Sequence, residues 1–301
     1  MTLGGAKLGV IVVNFNAGAL LTECVGAALA SEIAVDVVVS DNGSSDGSLV
    51  SLGERYGDDR RLRIIENGQN LGFARGSNVA VSVIVAPHLL FLNPDCIVRP
   101  GTLARMVAFM ETTPKAGMSG CVVRDPCGAE QVASRRVIPD PWIGLARLLH
   151  VERLWPSLMA GKRLDRTDEP LPDQPVEVEA ISGAFMLVRR EALEDVGLMD
   201  EGYFLHCEDL DWFVRFRREG WRIYLVPDTE AVHHKGVCSV GRPISVLWHK
   251  HRGMTRFFRK FQFRQYPLPL SLLVIFGIWL HFAVVASATW LRKLIGRLVG
   301  S

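Results

Sequence analysis

Four short apolar runs, each closed by polar residues, constrain this chain more than any other feature: Leu8 to Phe15, Ala34 to Asp41, Leu62 to Glu66 and His88 to Leu92. Largely apolar runs of this length suit strands covered on both faces, as in a parallel sheet. Between them, Leu20 to Ala30 and Gly72 to Val83 carry apolar residues at helical spacing. The cluster Asn42-Gly-Ser-Ser-Asp-Gly47 is turn-forming, with Ser45 or Asp46 placed to cap the helix that follows. Strand and helix alternating in this way predict an open α/β sheet, whose ligands bind beyond the carboxyl ends of the strands. The residues at those ends are Phe15 and Asn16, Asp41, and Asn93-Pro-Asp95.

The pattern dissolves from about Ile138 to Pro175, a stretch with several prolines and mixed charge, punctuated by Trp142 and Trp155. A structureless stretch this long reads as a surface excursion over a cleft. Order returns at Val176 to Arg189, where two short strands are expected around Ser182-Gly183. A helical Glu191 to Val196 and a strand at Trp221 to Val226 follow. Between them, Phe204-Leu-His-Cys-Glu-Asp-Leu-Asp-Trp-Phe213 sets Glu208, Asp209 and Asp211 beside His206 and Cys207 at the start of an amphipathic helix. Three acids in four positions repel one another unless a cation, a helix N-terminus or a substrate uses them. Two readings stay open on these residues alone. Either the segment is a site of chemistry, or its acids suit the helix dipole above a buried face of Leu210, Phe213, Val214 and Phe216.

Charge divides the chain. No Asp or Glu follows Glu230, whereas eleven Lys and Arg do. Taking those from 34 basic residues against 32 acidic ones leaves residues 1 to 230 with 23 against 32, a net −9. A basic tail seeks nucleic acid or an anionic membrane. Pro267 to Leu291 holds one ionisable residue, His281, and such an apolar run is foreign to nucleic-acid readers, which interleave basic with polar and aromatic groups. A membrane surface is therefore the expected partner, and no nucleic acid is expected. Pro243 to Phe263 reads in two ways. It is either a basic interfacial helix, with Trp248, Phe257, Phe258 and Phe261 among Lys250, Arg252, Arg256, Arg259 and Lys260, or a terminal helix packed on the body with its basic face in solvent. Leu268 to Leu291 has the ~20 apolar residues that span a bilayer. Arg292, Lys293 and Arg297 beyond it would then lie outside, against the positive-inside tendency, so an in-plane or re-entrant helix competes with a span. Six cysteines without a C-x-x-C pair, and no basic-then-apolar leader before Leu8, predict a reduced protein on the cytoplasmic face of the plasma membrane.

The chain carries, in order, Val12-Val-Asn-Phe-Asn16, Asp41-Asn-Gly-Ser-Ser-Asp46, Asn70-Leu-Gly-Phe-Ala-Arg-Gly-Ser-Asn78, Asn93-Pro-Asp95, Gly183-Ala-Phe-Met186, Glu208-Asp209 and His233-His-Lys-Gly236. In that succession, over roughly residues 8 to 240, it resembles a family 2 glycosyltransferase. Within that family it is most similar to rhamnosyltransferases that build bacterial surface polysaccharides. The resemblance implies an α/β fold of the GT-A type, a Rossmann-like mixed sheet flanked by helices that binds a nucleotide-sugar over residues 1 to 240. A basic and apolar helical membrane-associating region would follow over residues 241 to 301.

The same resemblance implies donor contacts at Phe15, Asn16, Asp41, Asn70, Gly72, Arg75, Asn78, Asn93 and Gly183. A pyrimidine base offers an N3–H donor and a flat face, which a strand-end carboxylate such as Asp41 and an aromatic ring such as Phe15 would read. By local structure alone, Asp41 is a turn-stabilising residue and Phe15 a core residue. Arg75 stands at a loop-to-helix junction whose free N–H groups suit phosphate, and is otherwise a solvated side chain. Asn93-Pro-Asp95 occupies the place of the family's metal-holding Asp-x-Asp, with Asn93 for the first acid. Asp95 with His233, or alternatively His234, is then the ligand set for Mg²⁺ or Mn²⁺; a strand-end turn around Pro94 accounts for the same residues.

Asp209 is implied as the base for the acceptor hydroxyl and Glu208 as the residue that orients it or the acceptor. Asp211, Trp212 and Arg215 support them, while Cys96, Cys207 and Cys238 adjoin the motifs as small packing residues. The expected reaction is inverting, metal-dependent transfer of a sugar, L-rhamnose from dTDP-L-rhamnose, to a lipid-linked or polysaccharide acceptor. A UDP-hexose or UDP-N-acetylhexosamine donor is one alternative. An inactive nucleotide-sugar-binding scaffold subunit is the other.

Overall fold

The computed structural model describes residues 3–4, 7–132, 134–140, 167, 169–234 and 243–299. Trp142, Trp155, Lys235, Gly236, Cys238 and most of the 138–175 excursion lie outside the described residues. The four apolar runs are strands β1 (Leu8–Asn14), β2 (Val35–Asp41), β3 (Leu62–Glu66) and β4 (His88–Leu92), parallel and in spatial order β3-β2-β1-β4. β1, β2 and β4 are buried along their whole length because helices cover both faces. Val10, Val12, Val37 and Val39 pack with helix α1 (Ala19–Leu29), while Ile11 and Val38 pack with helix α3 (Phe73–Val81) on the opposite side. Between these helices, α2 (Ser48–Tyr56) is entered through Gly47 at φ 81° and not through a cap at Ser45 or Asp46. The Asp46 carboxylate instead accepts the N–H groups of Ser48 (3.1 Å) and Gly18 (2.7 Å).

Three elements that the apolar pattern does not single out lie after Asp95: β5 (Cys96–Val98), α4 (Thr102–Thr112) and β6 (Ala116–Arg124). β6 is buried almost throughout, yet its Gly117, Ser119 and Gly120 dilute the hydrophobic signal. Those small residues leave room for Trp221 and Ile181, whose side chains would meet any Cβ added at Gly117 or Gly120. Around Ser182-Gly183 there are three short strands where two were expected. β7 (Val176–Glu177) joins the main sheet, Ala180–Ile181 pairs with Arg135–Arg136, and β8 (Phe185–Arg189) runs antiparallel between β4 and β6.

Helices α5 (Arg190–Val196) and α6 (Glu208–Arg218) follow, then β9 (Arg222–His233). β9 continues seven residues past the expected end at Val226. The register shift between Val226 and Glu230 is a bulge at Pro227-Asp228-Thr229, which reads as a terminator in sequence and is absorbed in the strand. The complete sheet is ordered β7-β9-β6-β8-β4-β1-β2-β3, with β5 pairing on β9.

Helix α7 (Pro243–Phe261) packs on the body: Phe257 and Phe261 join the cluster containing Trp212, Phe213 and Phe216 of α6. Its basic residues divide. Arg256 and Lys260, though still partly exposed, pair with Asp200, whereas Lys250, Arg252 and Arg259 are exposed and enter no described ion pair. Helix α8 (Leu268–Val299) contains the apolar stretch Leu268–Leu291, whose most apolar window is only 6% buried. It meets α7 through Trp248 against Trp279 (4.9 Å between ring centroids) and through His251 Nε2 against His281 Nδ1 at 2.9 Å. His281 thus faces a polar partner, which suits an ionisable side chain in an apolar helix.

Candidate active site

Parallel register sets Asn14 beside Asp41 at the carboxyl edge of β1 and β2. The Asn14 amide donates to Asp41 Oδ1 (2.8 Å) and lies 3.0 Å from the Ser44 and Ser48 hydroxyls. Asp41 Oδ1 also accepts the Ser44 hydroxyl (2.6 Å), and Oδ2 accepts the N–H groups of Gly43 and Ser44 (2.9 Å each). All four acceptor positions of that buried carboxylate are engaged, so Asp41 shapes the loop. A base contact at Asp41 requires one of these donors to yield. Asn16, at φ 55°, accepts the Ser45 N–H through Oδ1 (2.8 Å), and Phe15 is half-buried next to it.

Asn70 Oδ1 accepts the Gly72 N–H (2.9 Å), and Gly72, at φ 82°, opens α3 where a side chain would run into the Phe204 carbonyl. The Phe73 N–H donates to that carbonyl (2.9 Å), which ties α3 to the segment before the acids. Arg75 is more than half exposed, 3.8 Å from Glu201. Asn78 points away from the sheet edge and holds Met199 O (2.9 Å) and Glu201 (3.1 Å).

At the end of β4, Asp95 is 4% exposed and its Oδ1 lies 3.1 Å from His233 Nε2. The other ring nitrogen, Nδ1, meets Gln131 Oε1 at 2.9 Å, an acceptor that assigns the proton to Nδ1. In the neutral ring Nε2 would present a lone pair towards a carboxylate, a pairing that a cation would satisfy. Asn93 Nδ2 lies 3.4 Å from the same nitrogen. Among the described residues no group of three or more His, Cys, Asp or Glu side chains gathers around one point. Asp95 and His233 together fit Mg²⁺ or Mn²⁺, which take one or two carboxylates and fill the remaining positions with water and phosphate oxygens. His234 lines a separate cavity with Arg99 and Gly101; only its N–H reaches Asp95, through the main-chain carbonyl (2.9 Å).

The Asn93 N–H donates to Ala184 O (3.0 Å), which puts Gly183 at the same edge. A Cβ built on Gly183 would stand 2.8 Å from Asp209 Oδ2, so the glycine is what lets the carboxylate approach. Each acid of the segment is answered differently. Asp209 is ion-paired with Arg136 Nη2 and accepts the Leu210 N–H through Oδ1 (2.8 Å). Asp211, fully buried, receives Arg215 (2.7 Å), Lys260 (2.6 Å) and the Tyr203 hydroxyl (3.1 Å). Glu208 is 6% exposed, with Oε2 unpartnered among the described residues; burial first, and the neighbouring Asp209 second, push its carboxyl up to about 8. His206 and Cys207 both hold positive φ (69° and 72°) immediately before these acids, in the left-handed region that costs non-glycine residues energy. Burial raises the Cys207 thiol, as for a packing residue; Cys96 is buried likewise.

Sequence reasoning missed Gln131, Arg136, Tyr203 and Lys260. Arg136 and Gln131 precede the excursion in a stretch without periodicity, and Lys260 reads as one cation among many; an unanswered acid cluster was the only signal that partners of this kind must exist.

The sequence matches the family described as glycosyltransferase like family 2 over residues 6–266. It is 29% identical over 260 residues to the N-acetylglucosaminyl-diphospho-decaprenol L-rhamnosyltransferase of Mycobacterium tuberculosis, covering 81% of each chain. It is 27% identical over 175 residues to the rhamnosyltransferase WbbL of Escherichia coli (56% of this chain, 62% of that one). With the dTDP-rhamnosyl transferase RfbF of Shigella flexneri the identity is 23% over 280 residues, covering 90% and 84%. Among solved structures, the mannosyltransferase PcManGT from Pyrobaculum calidifontis with GDP-Man and Mn²⁺ superposes with a TM-score of 0.58 at 18% identity, covering 93% of this chain and 70% of that one. The S. aureus TarS 1-349 complex with UDP-GlcNAc gives 0.56 at 16%, covering 91% and 71%. These structural likenesses bear on the fold, which is of the GT-A type that the ordered motifs imply. From this family match and these relatives it follows that the chain belongs to the glycosyltransferase like family 2 and is a glycosyltransferase related to rhamnosyltransferases.

Proposed function

We propose that the protein transfers L-rhamnose from dTDP-L-rhamnose, with inversion and a divalent metal, to a lipid-linked or polysaccharide acceptor at the cytoplasmic face of a membrane. The approach of Asp209 to Gly183, at the edge that also carries Asn93 and Asp95, carries the reading. Asp209 takes the acceptor hydroxyl's proton as that oxygen bonds to the anomeric carbon and the bond from that carbon to the diphosphate oxygen breaks. Arg136 holds the Asp209 carboxylate in place, and Glu208, kept protonated by burial at neutral pH, leaves Asp209 as the acceptor of that proton. The β1 and β2 loops with Phe15, Asn16 and the Asp41 turn receive the nucleotide, and α3, with Gly72 and Arg75 at its start, faces the diphosphate. Asp95 and His233 would hold the metal, which supplies counter-charge to the leaving group.

The sugar and nucleotide rest on similarity to the rhamnosyltransferases. A lipid-linked acceptor is supported by the diphospho-decaprenol in the Mycobacterium relative's name. The long apolar helix α8 supports the membrane.

A thermal-shift panel of dTDP-L-rhamnose, UDP-hexoses and UDP-N-acetylhexosamines, with and without Mn²⁺, tests the donor, because a specific ligand raises the melting temperature by mass action. The largest shift is expected for dTDP-L-rhamnose, and one confined to UDP-sugars replaces rhamnose as the donor. No shift with any nucleotide-sugar favours a scaffold subunit. Asp209→Asn should cut kcat at least about a hundredfold with donor binding kept; undiminished transfer removes the role given to Asp209.

A further inference from the structure

Three acids crowd the first turn of α6, and of the three cations that answer them, Arg136, Arg215 and Lys260, the last comes from a helix outside the ordered motifs. Asp211, fully buried, accepts Lys260 Nζ at 2.6 Å in addition to Arg215 at 2.7 Å. The same Lys260 ammonium lies 2.8 Å from Asp200 Oδ2, and Arg256 makes a two-oxygen pair with Asp200 (2.8 and 2.9 Å). Arg256 also stands over the Tyr203 ring (5.3 Å to its centroid), and the Tyr203 hydroxyl donates to Asp211. Burial alone would raise the Asp200 carboxyl, but Lys260, the Gly202 N–H and Arg256 outweigh it and hold it at about 2. Asp200 is therefore ionised at neutral pH, and Asp200 and Asp211 bracket the loop that leads into Glu208 and Asp209.

Helix α7 also bears on that loop sterically. A Cβ on Gly253 would come within 2.7 Å of His206 O and 3.4 Å of Cys207 Sγ, the two residues held at positive φ before the acids. One turn earlier, the His249 ring stacks on Phe204 (4.2 Å between centroids), whose carbonyl receives the Phe73 N–H of α3. Backbone in this sparsely populated region persists only when its surroundings over-determine it. Among the described residues, α7 supplies the packing on one side and two of the cations.

We propose that Lys260 and Arg256 are positioning residues for transfer: their ion pairs to Asp211 and Asp200 clamp α7 onto the His206–Cys207 turn and so hold the Asp209 carboxylate at Gly183. The proposal rests on Asp209 as the base. It makes the first tail helix a working part of the catalytic unit, joined to α8 by the short segment between Phe261 and Leu268 and by the Trp248–Trp279 and His251–His281 contacts.

The test uses the full chain and reads kcat, donor KM and melting temperature together. Lys260→Met should lower kcat about tenfold or more, from a sub-ångström displacement of Asp209, with donor KM within about twofold. Lys260→Arg, which keeps the charge, should recover most of it. Arg256→Gln, at a more exposed pair, should give a smaller loss of the same kind and serves where Lys260→Met does not fold. Gly253→Ala should reproduce the kcat loss with every ion pair intact. Wild-type kcat in Arg256→Gln and Gly253→Ala, or a Lys260→Met protein that melts lower yet turns over normally, overturns the proposal and leaves the contacts purely structural. If Asp209→Asn itself turns over normally, the base assignment fails; an inactive Asp209→Asn with a fully active Lys260→Met sinks only the positioning role.

Discussion

Gly183→Ala is the smallest change that addresses the chemistry directly. Gly183 does not hold a positive φ, so alanine can adopt its backbone without strain. By narrowing the unfolded ensemble the substitution should leave stability unchanged or raise it by a few tenths of a kcal/mol. The added methyl group, however, would sit 2.8 Å from Asp209 Oδ2 and 3.3 Å from its Cγ. Ordinary contact begins at about 3.4 Å, so the carboxylate must retreat by about 0.6 Å, and Arg136, which pairs with the same oxygen, restrains it. A misplacement of ~1 Å can cost about a hundredfold in rate, which sets the expected loss in kcat at about ten- to a hundredfold, or about 1.4–2.7 kcal/mol in the barrier. The assay is sugar transfer at saturating donor, with donor KM and melting temperature measured alongside; KM and stability should barely move. A Gly183→Ala protein with wild-type kcat would show that the Asp209 carboxylate does not act from the place it occupies.

Metal removal by EDTA should abolish transfer and Mn²⁺ or Mg²⁺ restore it, with Asp95→Ala raising the metal requirement or eliminating activity; full turnover in chelator would leave Arg75 and helix dipoles as the leaving-group stabilisers. Deleting everything after Tyr266 keeps Lys250, Arg252, Arg259 and Arg264, which enter no described ion pair, while Arg256 and Lys260 are held by Asp200 and Asp211. At about 1 kcal/mol for each cation near an anionic leaflet, about 4 kcal/mol is available instead of the six cations' worth that composition suggests. The truncated protein should therefore bind anionic vesicles weakly and leave in high salt, whereas the full chain should need detergent; a full-length protein soluble in salt alone would place α8 in an oligomer contact. Glu208 stands above its ordinary 4.5, at about 8, so the folded state binds the extra proton between those values and wild-type stability falls as pH rises through that window. Glu208→Gln should remove that slope, its melting temperature gaining on wild type from pH 5 to pH 8; parallel curves would mean that Glu208 is ionised in the folded protein.

Sequence alone determined the parallel half of the sheet, because Val, Ile and Leu runs covered on both faces are local signals that need no knowledge of neighbours. It also placed Asn16, Asp41, Asn93, Asp95 and the Glu208–Asp209 pair at element ends, where polar residues interrupt those runs. The acids' density already demanded counter-charge. Which cations answer them was settled only in three dimensions: Arg136 reaches Asp209 across 73 residues because Arg135–Arg136 pairs with Ala180–Ile181. Lys260 reaches Asp211 because the aromatic face of α7 packs under α6. Long-range pairing is invisible to periodicity, which reports one element at a time. Which of His233 and His234 faces Asp95 likewise follows from the antiparallel pairing of His233 with Cys96, which sets one imidazole beside Asp95 and the other in a separate cavity. β6 and the second half of β9 stayed hidden for the opposite reason. Glycines, a serine and a proline bulge weaken their sequence signal, and burial between neighbouring strands supplies what composition lacks.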